Sequence, residues 1–147
     1  MKFEGLIREI VEENCEDYFL GAVDLSLENT ELIKRFQPLL EEYPRAISIG
    51  ITLLNANGLA EGSIEICDSN KQLNSIMTHL CSLLEAEGFK ALPMPKSKRD
   101  NGAFISLNLI AANLADLARF EENLLVTPEV GSGVNWGTVL TDAPLEV

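Results

Sequence analysis

The sequence predicts a mixed α/β or α+β fold: a single domain in which one sheet is flanked by helices. Three observations predict it. Segments with helical spacing of apolar residues alternate with short apolar or alternating runs along the whole chain. Turn residues (Pro44, Gly88, the Pro93–Pro95 pair and the glycines 131 and 133) fall between those segments rather than inside them. The 147 residues, 46% of them apolar, are enough for one core and leave no stretch that reads as a linker, repeat or low-complexity segment.

Residues 2–17 carry Phe3, Leu6, Ile7, Ile10 and Val11 at the spacing of an amphipathic helix. Glu12, Glu13, Glu16 and Asp17 crowd its C-terminal half, where the helix dipole disfavours them, so packing must hold it. The run from Tyr18 to Leu25 is apolar and too short for a helix, and reads as a buried strand. Ser26–Thr30 offers an N-cap region for a helix over Glu31–Glu42, interrupted at Pro38. After the turn at Tyr43-Pro44-Arg45, Ala46–Leu54 is the strongest strand signal. Its isoleucines alternate with Ser48, Gly50 and Thr52, so one face meets aliphatics and the other carries small residues that admit a close-packed helix or a ligand.

Asn55–Cys67 has no clear period and is expected to be a loop, with Asp68 and Ser69 capping a long helix over Lys71–Glu87. Leu73, Ile76, Met77, Leu80, Leu83 and Leu84 form its apolar face, and Gly88 stops it. A strand follows over Phe89–Leu92. The Pro-bounded loop after it holds Lys96, Lys98 and Arg99, the one cationic cluster of the chain. Ala103–Arg119 is expected to be a third long helix. The last two β-rich runs, Leu124–Thr127 and Trp136–Thr141, read as a hairpin or a pair of neighbouring strands, with a Gly-bearing connector long enough to be a binding loop.

Composition excludes several function classes. With 23 acidic against 11 basic residues the formal charge is −12, which repels phosphate backbones and argues against nucleic-acid binding. No apolar run approaches the about 20 residues of a membrane span, and the charged N-terminus is unlike a signal peptide, so no membrane association and a cytoplasmic location are expected. Cys15, Cys67 and Cys81 form no C-x-x-C, and three thiolates fall short of the four that an iron–sulfur cluster takes. His79, the sole histidine, reads as a helix-face residue and leaves no room for a zinc site or a Ser–His or Cys–His pair. No phosphate-binding glycine loop and no G-x-S-x-G is present. Asp142, after the last strand, reads as a turn acceptor, and Asp100 as a helix cap.

The stretch Leu124-Leu125-Val126-Thr127-Pro128-Glu129-Val130-Gly131-Ser132, followed by Gly137-Thr138-Val139-Leu140-Thr141-Asp142-Ala143-Pro144-Leu145, resembles epoxyqueuosine reductase and the reductive dehalogenase-like proteins. In that family L-L-(I/V)-x-x-x-x-G-(S/P) leads to G-x-(I/V)-x-T-D-x-P-L at the same spacing. Weaker likenesses are Tyr43–Gly50 to the family's first central strand, and Leu83–Pro93 to its helix and following strand. The resemblance implies a nitroreductase-like, corrinoid-binding domain spanning residues 1–147, with cobalamin as the cofactor. It also implies an electron supply from iron–sulfur clusters in a ferredoxin-like module that follows the T-D-x-P-L motif; the sequence has no such cysteine motif and stops at Val147. The family's A-G-L-G-W-I-G-K-N appears as Ala115-Asp116-Leu117-Ala118-Arg119-Phe120-Glu121-Glu122-Asn123, a His-Lys pair as Asn108-Leu109, and the catalytic aspartate of epoxyqueuosine reductases falls near Gly102.

The expectation is therefore a degenerate corrinoid-binding-type domain that is not an autonomous reductase. Its candidate contacts to a corrinoid or other large planar ligand are Ser48, Gly50, Thr127, Gly131, Ser132, Gly133 and Trp136, with no metal ligands and no iron–sulfur cluster in the chain. The alternatives are an interaction subunit docking on an iron–sulfur or corrinoid partner protein, and a fragment of a longer iron–sulfur reductase. The resemblance also makes a homodimer the expected assembly.

Overall fold

A computed structural model describes residues 3–14, 18–27, 34, 36–52, 62–94, 107–121, 124–128 and 134–144. Helix α1 (Phe3–Asn14) precedes strand β1 (Tyr18–Asp24) and a single 3-10 turn, Leu25–Leu27. Helix α2 (Gln37–Glu42) opens with Pro38 in its first turn, where the missing N–H leaves no intrahelical bond unmade. Strand β2 (Arg45–Thr52), the long helix α3 (Gly62–Ala86), strand β3 (Ala91–Pro93) and helix α4 (Leu107–Leu114) follow. Strands β4 (Arg119–Glu121), β5 (Leu124–Val126) and β6 (Val134–Thr141) complete the order.

Four strands form an antiparallel sheet in the order β1-β2-β6-β3, and β4 and β5 pair separately. The period-2 rule sorts the central strands between two layers. On one face, Ile47, Ile49 and Ile51 of β2 and Val139 of β6 pack with Ile7 and Val11 of α1 and with Leu73, Ile76, Met77, Leu80 and Leu84 of α3. On the other, Ala46 and Leu140 meet Leu107, Ile110 and Ala111 of α4, Leu25 and Leu40. The fold is thus the single mixed domain expected, a sheet flanked by helices on both faces. Among the described residues no helix is long and apolar enough to cross a membrane.

Three expectations change. The backbone is helical from Gly62, so the second half of the segment read as a loop is helix, and Asp68 and Ser69 lie inside α3 instead of capping it. The helix read over Ala103–Arg119 ends at Leu114, and Arg119 belongs to β4. Leu124–Thr127 and Trp136–Thr141 are neither a hairpin nor neighbouring strands: β5 pairs with β4, while β6 runs between β2 and β3 in the main sheet. The cause is burial. Every residue from Val134 to Thr141 is buried, so β6 needs a partner on both edges and layers on both faces, and only the centre of the sheet supplies them.

The long helix α3 closes on a glycine. At the end of α3, Gly88 has φ +92°, its N–H donates to the Glu85 carbonyl (3.0 Å), and the Phe89 N–H reaches back to the Leu84 carbonyl (3.0 Å). This is a Schellman motif with glycine at its left-handed position, as the sequence indicates.

Candidate functional site

The small residues of β2 that suggested a binding face lie in register with two rows of side chains under α4. Phe19, Gly50 and Trp136 are direct neighbours across β1, β2 and β6. A Cβ on Gly50 would stand 2.6 Å from the Trp136 ring and 2.7 Å from Val134 Cγ1. The glycine is therefore a floor on which the indole lies, tilted 44° to Phe19 with ring centroids 5.7 Å apart, within the range of favourable aromatic pairs. Trp136 is 3% exposed and packs with Ala112, Ala118, Leu125 and Val134.

One row further along, Gly21, Ser48 and Thr138 are paired across the same three strands. Leu117 Cδ1 and the Ala115 Cβ come within 3.2 and 3.3 Å of where a Gly21 Cβ would be. Ser48 and Thr138 are both fully buried, and neither Ser48 Oγ nor Thr138 Oγ1 has a hydrogen-bond partner among the described residues. Asn108 is buried on the facing helix. Thr138 was not singled out from sequence. The signal was available in the pattern: a hydroxyl between Gly137 and Val139 on a strand buried throughout.

Thr127, one residue past β5, is 5% exposed; Val134, the first residue of β6, is 8% exposed. These two buried residues fix the ends of the Gly-bearing connector. Its Gly131, Ser132 and Gly133 lie outside the described residues, as do Asp100, Gly102 and the Lys96, Lys98 and Arg99 cluster. Strand directions nevertheless relate their attachment points. Thr52 ends β2 opposite Val134, and β3 runs toward the same end of the sheet, its exit fixed by the Met94 N–H on the Thr138 carbonyl at 2.9 Å. That anchor is about 13 Å along β6 from Val134. Near this end the Asn135 amide donates to Asn70 Oδ1 of α3 at 2.7 Å, joining β6 to α3. Of the proposed contacts, the fold therefore brings Ser48, Gly50 and Trp136 together inside the α4 layer, with Thr127 just past the strand whose Leu125 packs against the indole.

The segment aligned with the family's glycine-rich motif is a helix end. The Asp116 N–H donates to the Asn113 carbonyl (3.0 Å) and the Leu117 N–H to the Ala112 carbonyl (3.1 Å), a second Schellman motif. Its left-handed residue is Asp116, φ +66°, the only described residue other than glycine with positive φ. Asn113 Nδ2 ties the exit by donating to the Ala118 carbonyl at 3.0 Å, and Ala118 is buried in the tryptophan cluster. Arg119 and Glu121 form an exposed ion pair at 2.8 Å.

The T-D-A-P ending has a structural task. Thr141 Oγ1 donates to the Lys90 carbonyl (2.6 Å) and accepts from the Ala143 N–H (3.1 Å), while the Lys90 N–H donates to Asp142 Oδ1 (2.8 Å). The Arg45 guanidinium donates to the Asp142 and Ala143 carbonyls (3.2 and 3.1 Å) and faces Asp24 at 3.5 Å. Among the described residues no cluster of three or more His, Cys, Asp or Glu side chains could hold a metal ion. Cys81 is buried in α3, and burial, with Glu85 nearby, pushes its thiol from 9.0 up to about 11, so it is protonated and a poor nucleophile at neutral pH.

No family model and no curated protein sequence matches the chain. Solved structures do. An epoxyqueuosine reductase solved with an epoxyqueuosine-modified tRNA-Tyr stem loop superposes with a TM-score of 0.67 at 14% identity, over 98% of this chain and 46% of that one. A catabolic reductive dehalogenase gives 0.67 at 17% identity, over 96% of this chain and 19% of that one. A second reductive dehalogenase, whose structure suggests a mechanism for B12-dependent dehalogenation, gives 0.59 at 14% identity, over 99% and 25%. The chain thus has, over nearly its whole length, the fold of one part of the epoxyqueuosine reductases and reductive dehalogenases, and spans less than half the length of these enzymes.

Proposed function

We propose that residues 1–147 are a single corrinoid-binding-type domain that binds a cobalamin or another large planar ligand and does not carry out reduction alone. The observation that carries this reading is the fold: nearly all of the chain superposes on part of two enzyme groups, one of them described as B12-dependent.

Fit to a corrin ring differs between parts of the site. Gly50 leaves the kind of space that a flat ligand uses, but the protein's own indole fills it. Ser48 and Trp136 lie too deep beneath α4 to touch a ring of that size. They form the wall behind the site. Direct contacts then fall to Gly131, Ser132 and Gly133, where two residues without a side chain and one small one allow close backbone approach, on a connector anchored at Thr127 and Val134. A bound corrinoid would supply a redox-active cobalt. The protein's part is to hold its face and keep water away, and electrons would come from an iron–sulfur centre outside these 147 residues, whose three cysteines do not make a four-thiolate cluster site.

The test is a titration of purified protein with hydroxocobalamin, followed by visible spectrum and calorimetry. A shifted spectrum with saturable heat is expected. An unchanged spectrum without heat at high micromolar ligand would sink the corrinoid reading. The burial of Ser48, Gly50 and Trp136 favours a second reading, in which the domain keeps the fold and docks on an iron–sulfur or corrinoid partner protein. Co-purification of such a partner from the native host, by a protein that takes up no cobalamin, is the outcome that reading requires.

A further inference from the structure

We infer that Ser48 and Thr138 hold an internal water molecule between the sheet and α4, so that Ser48 faces a structural solvent site and not the ligand. The row Gly21–Ser48–Thr138 carries the smallest side chains of the described rows on the α4 face, a glycine, a serine and a threonine side by side on three strands. Ser48 and Thr138 are directly opposite residues, so their Cβ atoms are about 5 Å apart. A water between them can reach both hydroxyls. Both side chains are fully buried and both hydroxyl oxygens lack a hydrogen-bond partner among the described residues. A hydroxyl taken from water and left unbonded opposes folding, and proteins commonly resolve this with a buried water that makes two to four hydrogen bonds. The helix above contributes small residues, with Ala111 and Ala112 fully buried, and the buried amide-bearing Asn108. The row is therefore polar beneath a helix that offers small residues, with Leu117 and Ala115 closing its Gly21 end, unlike the aliphatic layer on the other face of the same strands.

Thr138→Val keeps the shape and removes the hydroxyl; Ser48→Ala does the same for its partner. With a shared water, each substitution lowers the urea midpoint, by about a five-fold drop in the folded-to-unfolded ratio. The double variant then loses less than the sum, because both changes remove the same water. Oxygen-17 relaxation dispersion of the wild type reports one long-lived water more than either single variant. Addition of hydroxocobalamin leaves that water in place, so this result is independent of whether the corrinoid reading holds. Two outcomes overturn the inference. If either substitution raises the midpoint, the hydroxyl was unbonded. If the midpoints fall but the number of long-lived waters stays the same, the two hydroxyls bond to each other directly.

Discussion

At the scale of the residue, Gly50 and Asp116 make opposite predictions. Gly50 has a β conformation open to any residue, but its Cβ position is already taken by Trp136 and Val134 at 2.6 and 2.7 Å. Gly50→Ala must displace the indole or spread the β2–β6 pair, and overpacking of this kind costs about 1–3 kcal/mol. Trp136 is the only tryptophan of the chain, so one fluorescence-detected urea titration reads both the lower midpoint and a change in native emission. An unaltered midpoint and spectrum would mean that the ring has room to move, and that the face is more open than its packing indicates. Asp116 is the reverse case: its side chain is exposed, and its backbone is where glycine is preferred. Asp116→Gly is expected to raise stability by ~0.5–1 kcal/mol, the left-handed penalty less the extra freedom glycine gives the unfolded chain. Asp116→Ala removes the same charge but keeps a Cβ, and should give no such gain in the same titration. The family's glycine at this position thus has a conformational explanation that needs no ligand, which weakens its loss as evidence of lost chemistry.

At the scale of the element, the sequence was most readable where side-chain period and burial agree. The alternation in Ala46–Thr52 marked a strand with an aliphatic face and a small-residue face, and the leucines and isoleucines from Leu73 to Leu84 marked the buried stripe of α3. The errors arose where a local signal competed with the fold. Asp68 and Ser69 resemble an N-cap, yet the helix continues back to Gly62. The end of α4 was hidden because its Schellman position holds an aspartate instead of the glycine that marks the end of α3. The hairpin expected from two neighbouring strand-like runs ignored that β6, buried throughout, belongs at the centre of the sheet. Of the site, Ser48 and Gly50 were legible as small residues on a strand and Trp136 as a contact of the connector, but that Trp136 lies within β6 and fills the space over Gly50 follows only from strand register. The reading of Asp142 as a turn acceptor agrees with its bond from the Lys90 N–H, and this gives a prediction for β3. That strand has three residues, pairs with β6 alone among the described strands, and enters through Lys90. Asp142→Ala should destabilise it by about 1 kcal/mol, since a carboxylate acceptor is lost at a partly exposed site. Hydrogen exchange should show faster exchange at Lys90 and across β3 while β1 and β2 keep their protection. Uniform acceleration throughout the sheet would instead mean that the T-D-A-P ending supports the whole domain.

At the scale of the whole molecule, charge limits what the chain can bind, and that limit can be measured. The fold is shared with an enzyme solved with a tRNA stem loop, whereas this chain carries a formal charge of −12. Several of its cations are already engaged: Arg45 with Asp24 and two carbonyls, Lys90 with Glu42 at 3.5 Å, and Arg119 with Glu121. Arg8 donates to the Tyr18 hydroxyl, which in turn donates to Glu12. Phosphate binding depends on cations releasing counterions from the nucleic acid, with an affinity that scales with the number of such contacts. Lys96, Lys98 and Arg99 are the one cluster in the sequence that could supply several, and three contacts give a weak, steeply screened interaction set against repulsion from the rest of the surface. The chain alone is therefore expected not to retard tRNA in a gel-shift assay at ~0.15 M salt. Retardation there at low micromolar protein would show that the basic cluster governs the surface despite the net charge. Its loss in a variant with all three residues changed to alanine would place the nucleic-acid contact on that segment. No retardation would show that the net negative charge of the chain outweighs the basic cluster at this salt.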